Sequence, residues 1–209
     1  MTTVQDLDTW IALGYEQQGV EFKSAGPRTD SLLLAKVVRA AMGMSNQQYG
    51  GTVVIGVSEA TDPPHVQGLS ASDLRSWRYD WTAASFGLYA DPSIKFHREV
   101  VHHRDGDVIV LDVSEFSEVP VLCKKPMTVR GRVALREGAC YVRSAHMPAT
   151  VEVSTQEEMR ALLDLGLNKA LIKWIGQGER AGFFRAVGAA HVIPTPGDDE
   201  QFKNEAGGL

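Results

Sequence analysis

The amino-acid sequence predicts an α/β protein (mixed α+β), in which a mixed β-sheet is flanked by helices. Three observations lead to this fold class. Segments with helical apolar spacing alternate with short β-branched segments in the first half of the chain. A strand hairpin, marked by Asp105-Gly106, follows in the second half. Hydrophobic residues make up 44% and charged residues 22% of the 209 residues, which is the composition of an ordinary globular protein.

The first half of the chain contains two predicted helices and two predicted strands. An amphipathic pattern predicts a helix over residues 3–13, and alternation predicts a strand over residues 20–23. A second helix is predicted from about residue 32 to residue 44. The apolar segment 52–57 then has the composition of a central strand that is covered on both faces.

The middle of the chain is predicted to contain one more helix and several strands. Helical spacing predicts a helix over residues 70–86. The predicted hairpin joins strands 94–103 and 108–113. Two further short strands are expected within residues 120–136 and 139–144. This order of elements favours a mixed sheet over a doubly wound parallel sheet.

The C-terminal part is predicted to be helical and then disordered. Helices are expected over residues 157–165 and 169–187, and the Pro- and Gly-rich end has the composition of a disordered segment. The predicted domain organisation is a domain over residues 1–166, a helical segment over 167–190 that packs on the domain or on a dimer partner, and a disordered tail over 191–209.

Composition excludes several classes of protein. The net charge of −5 is unlike that of a strongly basic nucleic-acid-binding protein. No run of about 18 apolar residues is present, so no membrane contact is expected, and the first residues do not resemble a signal peptide. Cys123 and Cys140 are the only cysteines. Two thiols without a secretory signal indicate a reducing compartment, and we expect a cytoplasmic protein; the alternative is a single disulfide between the two cysteines.

One segment of this acidic chain is strongly basic. Residues 123–146 contain six basic residues and one acidic residue, Glu137, which gives a net charge of +5. The six are Lys124, Lys125, Arg130, Arg132, Arg136 and Arg143. On neighbouring strands they could form a strip that binds a phosphate backbone. The alternative is a solvated hairpin whose arginines have no ligand.

Four short motifs follow one another along the chain. They are Glu16-x-x-x-x-Glu21-Phe22-Lys23, Asn46 followed by Gly50-Gly51, the apolar segment Val53 to Val57, and Cys140 to Ser144 before a short helix. Their order and spacing, over about residues 7–165, resemble those of the Schlafen AlbA-like domain family, formerly called the divergent AAA family. The resemblance implies a mixed α/β fold and nucleic-acid binding.

The family resemblance also implies two possible activities. Many bacterial members look like DNA-binding modules joined to regulators, whereas vertebrate Schlafen proteins resemble endonucleases that cut structured RNA such as tRNA. In the latter, acids matching Glu16, Glu21 and Glu59 hold divalent metal, here Mg²⁺ or Mn²⁺. The chain has no phosphate-binding glycine motif, so no ATP is expected. Single-domain relatives would need a partner to complete the groove, which predicts a homodimer.

The predicted strands make this chemistry geometrically reasonable. Glu21 and Lys23 are two residues apart on a strand, so their side chains project to the same face. Glu16 precedes that strand, and Glu59 follows a strand that could lie beside it. Carboxylate oxygens suit Mg²⁺ and Mn²⁺, and Lys23 could stabilise charge on the phosphate. The alternative is that these acids are solvated and that Glu21 and Lys23 form a surface pair.

Two functional hypotheses therefore remain open from the sequence. The first is a nucleic-acid-binding protein that acts as a metal-dependent endoribonuclease, with Glu16, Glu21, Lys23 and Glu59 as the catalytic residues. The second is a module without catalytic activity that binds DNA or a protein, in transcriptional regulation or phage defence. The partner in the first case is RNA and in the second DNA or protein.

Overall fold

A computed structural model of the chain has a mixed α/β fold built around a four-stranded sheet. The structure describes residues 2–13, 18–58, 63–144, 147 and 149–183. The chain divides into two compact units, Met1–Leu167 and Asn168–Leu209.

Helices and strands alternate along the described residues, as the sequence predicts. The helices are α1 (Val4–Ala12), α2 (Ser31–Ser45), α3 (Ala71–Ser76), α4 (Tyr79–Tyr89) and α5 (Gln156–Arg180). The strands are β1 (Val20–Lys23), β2 (Gly51–Ile55), β3 (Ala90–Asp91), β4 (Phe96–His103), β5 (Gly106–Val113), β6 (Leu122–Cys123), β7 (Met127–Val129), β8 (Arg132–Leu135), β9 (Tyr141–Arg143) and β10 (Thr150–Glu152).

The four-stranded sheet has the order β1-β2-β5-β4. Strand β1 pairs with β2 in parallel, and the other two pairings are antiparallel. Strands β4 and β5 form the hairpin that Asp105-Gly106 predicts, with Gly106 at a positive φ of 135°. The predicted mixed sheet and the placement of residues 52–57 beside residues 20–23 are therefore confirmed.

Both faces of this sheet are buried against apolar side chains. On one face, a cluster that includes α2 contains Val53, Ile55, Ile109 and Leu111. On the other face, a cluster that includes Leu7 of α1 contains Phe22, Val54, Val108 and Val110. Alternate residues of the central strands thus enter opposite layers, which explains why residues 52–57 contain almost no polar residue.

Asn46 and the double glycine that follows it have structural functions. Asn46 caps the C-terminal end of α2 and is almost fully buried. Its amide nitrogen donates to the Val121 carbonyl (2.8 Å) and the Tyr141 carbonyl (2.9 Å), and its amide oxygen accepts from the Val121 N–H (2.7 Å). Gly50 has a φ of +73°, and a Cβ there would lie 2.0 Å from the Val113 carbonyl oxygen.

The prediction of a single helix over residues 70–86 is wrong. The chain instead forms two helices, which are separated by Trp77 and Arg78. The buried Trp77 donates its indole N–H to the Gly26 carbonyl oxygen at 2.9 Å. Its own carbonyl oxygen accepts from Nε of Arg98 on β4 at 2.7 Å. The same carbonyl oxygen also accepts from the Thr82 hydroxyl at 3.1 Å, and Arg78, with φ −56° and ψ 150°, is the N-cap of α4.

The prediction of two separate helices over residues 157–165 and 169–187 is also wrong, because α5 is one continuous helix. It continues through residues 166 and 167, where the sequence predicts the domain to end. Gly166 lies within it, and one interior glycine costs only about 1 kcal/mol relative to alanine. The predicted disordered tail lies outside the described residues. None of the helices in the described part of the chain is both long and apolar enough to cross a membrane.

Asn46→Ala is expected to lower the free energy of unfolding by roughly 3 kcal/mol, because it leaves several buried backbone groups without a partner. Urea denaturation followed by circular dichroism would measure the change. Asn168→Ala, the same substitution at an exposed position of α5, is the matched control and should change stability by less than about 0.5 kcal/mol. Equal effects of the two substitutions would contradict the structural function of Asn46.

Candidate functional site

The residues of the predicted acidic site are only partly described. Glu21 and Lys23 lie on β1, whereas Glu16 and Glu59 lie outside the described residues. The predicted same-face arrangement of Glu21 and Lys23 is confirmed, because Lys23 Nζ lies 2.9 Å from Glu21 Oε1. A convergence of three carboxylates stays a prediction.

Glu21 lies at the centre of a buried group of charged and polar side chains, which we call the Glu21 cluster: Glu21, Lys23, Arg143 and Thr150. Arg143 Nη1 donates to Glu21 Oε2 at 2.5 Å, and the Thr150 hydroxyl donates to the same oxygen at 2.6 Å. The other carboxylate oxygen, Oε1, contacts Lys23. The side chains of Glu21, Lys23 and Arg143 are 9%, 6% and 0% exposed.

The Glu21 cluster is assembled by strand β1 and the β9–β10 pair. Strand β1 supplies Glu21 and Lys23, while Arg143 on β9 lies directly opposite Thr150 on β10. Arg143 Nε also donates to the Gln18 carbonyl at 3.1 Å, just before β1. The cluster thus places one carboxylate between two basic side chains. Because it is shielded from water, its ion pairs are stronger than those at the surface.

The prediction that Arg143 belongs to a basic surface strip is wrong. The sequence places it with Arg130, Arg132 and Arg136 on exposed strand faces, but β9 is buried along its whole length. Arg143 therefore neutralises Glu21 in the interior instead of facing solvent. Glu21 and Lys23 are likewise not the solvated surface pair that the sequence allows.

The described residues do not form a metal site by themselves. Among them, no three His, Cys, Asp or Glu side chains lie close enough to hold a metal ion. Both oxygens of Glu21 contact Lys23, Arg143 or Thr150. A site for Mg²⁺ or Mn²⁺ would depend on Glu16 and Glu59.

Four of the predicted basic residues are exposed around the β7–β8 hairpin. We call this group the basic hairpin: Lys124, Lys125, Arg130 and Arg132. Arg130 and Gly131 form the tight turn, with φ values of 51° and 74°. Two successive positive φ angles are typical of the hairpin turn that follows the natural twist of two strands. The turn thus places Arg130 at the tip, and Arg132 begins β8.

Arg136 is also exposed, but it is held by an acidic neighbour. Its guanidinium donates from Nε to Glu152 Oε2 at 3.1 Å, and Nη2 contacts Glu152 Oε1. These hydrogen bonds lower the pKa of Glu152 below its usual value. The backbone N–H of Arg136 donates to the Tyr141 hydroxyl at 2.9 Å. Burial, as the largest influence, raises the pKa of that hydroxyl.

Sequence analysis missed two residues next to these groups. Thr150 hydrogen-bonds Glu21, and Arg39 on α2 places its guanidinium carbon 5.0 Å from the centre of the Tyr141 ring. The Nε of Arg39 is buried and has no hydrogen-bond partner among the described residues. Neither residue has a local sequence signal, because each contact joins segments far apart in the chain.

Comparison with known proteins identifies a family and two solved structures. The Schlafen, AlbA_2 family model matches residues 16–146. The DIP2311 protein from Corynebacterium diphtheriae is similar in structure, with a TM-score of 0.46 and 17% identity over 76% of this chain and 27% of that chain. No curated protein matches the sequence.

The second structure is the N-terminal domain of an ATP-dependent DNA helicase RecG-related protein from Nitrosomonas europaea. It aligns with a TM-score of 0.47 and 16% identity over 75% of this chain and 99% of that chain. The aligned part of this chain spans nearly all of that domain but about a quarter of the DIP2311 protein.

Glu21→Gln is expected to lower the free energy of unfolding by about 3 to 5 kcal/mol, because it removes the buried carboxylate that contacts both Lys23 and Arg143. Chemical denaturation would measure this loss. Glu137→Gln removes the same charge at an exposed position and should be nearly neutral. If Glu21→Gln lost less than about 1 kcal/mol, the ion pairs of the Glu21 cluster would not be a major structural element.

Proposed function

Because the chain belongs to the Schlafen AlbA_2 family, we propose that it is a nucleic-acid-binding protein whose basic hairpin contacts the phosphate backbone. The exposure of Lys124, Lys125, Arg130 and Arg132 is the observation that carries this proposal. No acidic residue lies between residues 124 and 132. The hairpin is therefore a local positive charge on a protein whose net charge is −5.

The chemistry of the basic hairpin suits backbone contact better than base recognition. Lysine and arginine neutralise phosphates and release bound counterions, which is independent of sequence. The turn at Arg130 and Gly131 makes the tip narrow, and both flanking strands are short. The ligand is thus a nucleic-acid backbone, and RNA and DNA are both candidates.

The Glu21 cluster supports this function by positioning strands. It joins β1 to the β9–β10 pair, and the two are far apart in sequence. Residues on β9 and β10 in turn contact Arg136, which follows β8 of the basic hairpin. Glu21 and Arg143 therefore act at a distance from the ligand in this proposal.

A second candidate function is metal-dependent cleavage of structured RNA such as tRNA, with Glu16, Glu21 and Glu59 as ligands of Mg²⁺ or Mn²⁺ and Lys23 as electrostatic helper. One observation favours it. The end of β2 is hydrogen-bonded to the end of β1, with the Gly56 and Val57 N–H groups donating to the Lys23 carbonyl at 2.8 and 3.1 Å. Gly56 and Val57, which contact Lys23, precede Glu59 by only three and two residues in the sequence.

A homodimer and a cytoplasmic location also stay predictions. Apolar side chains of the described part of α5 are exposed, among them Leu167, Leu171 and Ile175, and Phe183 beyond the helix is exposed as well. This is the surface on which the sequence predicts a dimer contact.

A function in transcriptional regulation or in phage defence would use the basic hairpin as the nucleic-acid-binding surface.

Replacing Arg130 and Arg132 together by glutamine is expected to weaken binding to tRNA and to single-stranded DNA, and to lower the salt slope of log K by about 1 per lost phosphate contact. Fluorescence anisotropy at several salt concentrations measures both quantities. The matched control replaces Arg75 and Arg104, two exposed arginines elsewhere. Equal loss in both double variants would show non-specific attraction to charge and contradict the basic hairpin as the interface.

Cleavage of tRNA in Mn²⁺ is expected to stop with chelator and to fall strongly in Glu16→Gln and Glu59→Gln if the second function is correct. Gel analysis of labelled tRNA measures the cut products. Glu137→Gln is the control, and Glu21→Gln is informative only if it remains folded. Cleavage that ignores the chelator and both substitutions would exclude a metal-dependent activity at these acids.

A further inference from the structure

Arg136 and Glu152 make a paired contact of the kind that arginine also makes with phosphate. Two nitrogens of the guanidinium, Nε and Nη2, each face one carboxylate oxygen. This planar fork fits either a carboxylate or a phosphate. The Arg136 side chain is 60% exposed and that of Glu152 is 36% exposed. Ion pairs with this much exposure contribute little stability, so an incoming anion can replace the carboxylate.

Tyr141 brings a second arginine to the same place. Its hydroxyl accepts from the Arg136 backbone N–H, and its ring lies under the Arg39 guanidinium. In the β9–β10 pair, Tyr141 lies directly opposite Glu152. The charge on Arg39 also helps to lower the pKa of Glu152, after the larger influence of the Arg136 hydrogen bonds. Two arginines thus share one acidic neighbour.

One hydrogen-bond donor of Arg39 lacks an acceptor among the described residues. The buried Nε has no acceptor among the described residues, although buried donors are almost always paired. The guanidinium also lies against the Tyr141 ring, which offers a cation–π contact but no oxygen acceptor for Nε. Arg39 therefore has one buried donor for which no acceptor lies among the described residues.

We infer that Arg39 and Arg136 form a binding site for one phosphate of the nucleic acid, and that Glu152 holds Arg136 in position until this phosphate replaces its carboxylate. The inference rests on the proposed function, and it adds a site beyond the basic hairpin. Strand β8 leads from Arg132 to Leu135, directly before Arg136. Four extended residues span about 13 Å, so a continuous backbone can contact both places.

Because phosphate must displace the Glu152 carboxylate from Arg136, Glu152 lowers the affinity of this site for the nucleic acid. The carboxylate keeps Arg136 in a fixed orientation when no ligand is present. It also repels a phosphate that approaches Arg39, so binding requires Glu152 to move away. Removing its negative charge should therefore strengthen binding, while removing Arg39 should weaken it.

The test compares three variants with the wild type, using the same tRNA and single-stranded DNA. We expect Glu152→Gln to bind about three- to tenfold more tightly at low salt, because one repulsive charge is lost. Arg39→Met keeps an unbranched side chain but removes the guanidinium, and should bind less tightly with a salt slope lower by about 1. In the double variant, the gain from Glu152→Gln should be largely lost.

Glu137→Gln is the matched control, because it removes an exposed negative charge next to Arg136 without touching the Glu152 contact. An equal gain in Glu137→Gln and Glu152→Gln would overturn the inference, since charge alone would then explain it. Unchanged binding of a folded Arg39→Met protein, verified by circular dichroism, would also overturn it. Arg39→Lys keeps the charge but loses the fork, and should show an intermediate loss.

A second measurement separates this inference from the proposed function. Tripolyphosphate is titrated into the Glu152→Gln protein, and the Nε–H resonances of its arginines are followed by NMR. Shifts at Arg39 and Arg136 support the phosphate site even if no nucleic acid binds, in which case only the proposed function fails. An absence of shifts at both arginines overturns the site, even if the basic hairpin binds nucleic acid.

Discussion

The buried pairing of Glu21 with Arg143 and Lys23 is the interaction on which the arrangement of this protein depends. The two ends of the Glu21–Arg143 contact are 122 residues apart in the chain. An uncompensated charge in the interior is very costly, and the Glu21 carboxylate contacts both buried basic side chains. The cluster therefore links β1 to β9 and β10, the strands that carry Tyr141 and Glu152.

The basic residues consequently fall into two groups with different functions. Arg143 and Lys23 are buried and neutralise Glu21, so they have no contact with a ligand in our proposal. Arg130 and Arg132 are exposed on a hairpin, where they lose little by exchanging water for phosphate. Arg136 lies between these cases, because it is exposed but paired with Glu152. Burial, more than residue type, decides which arginines can bind nucleic acid.

Much of the fold could be predicted from local patterns, whereas the contacts between distant segments could not. Alternation and apolar spacing correctly predicted β1, α2 and the β4–β5 hairpin, because these depend on neighbouring residues. The break at Trp77 depends on Arg98, and the burial of Arg143 depends on Glu21. Arg39 and Thr150 gave no signal for the same reason. Asn46 belongs to a sequence motif, but the motif did not predict that its side chain hydrogen-bonds the backbone of Val121 and Tyr141.

The long-range hydrogen bonds of Asn46 have a consequence for biosynthesis. Asn46 requires Val121 and Tyr141, and Glu21 requires Arg143 and Thr150, so the N-terminal half cannot satisfy its buried polar groups alone. At 5 to 20 residues per second, the ribosome needs about 5 to 20 s to add the residues between Asn46 and Thr150. During that interval the buried polar side chains of Asn46 and Glu21 lack some of their hydrogen-bond partners.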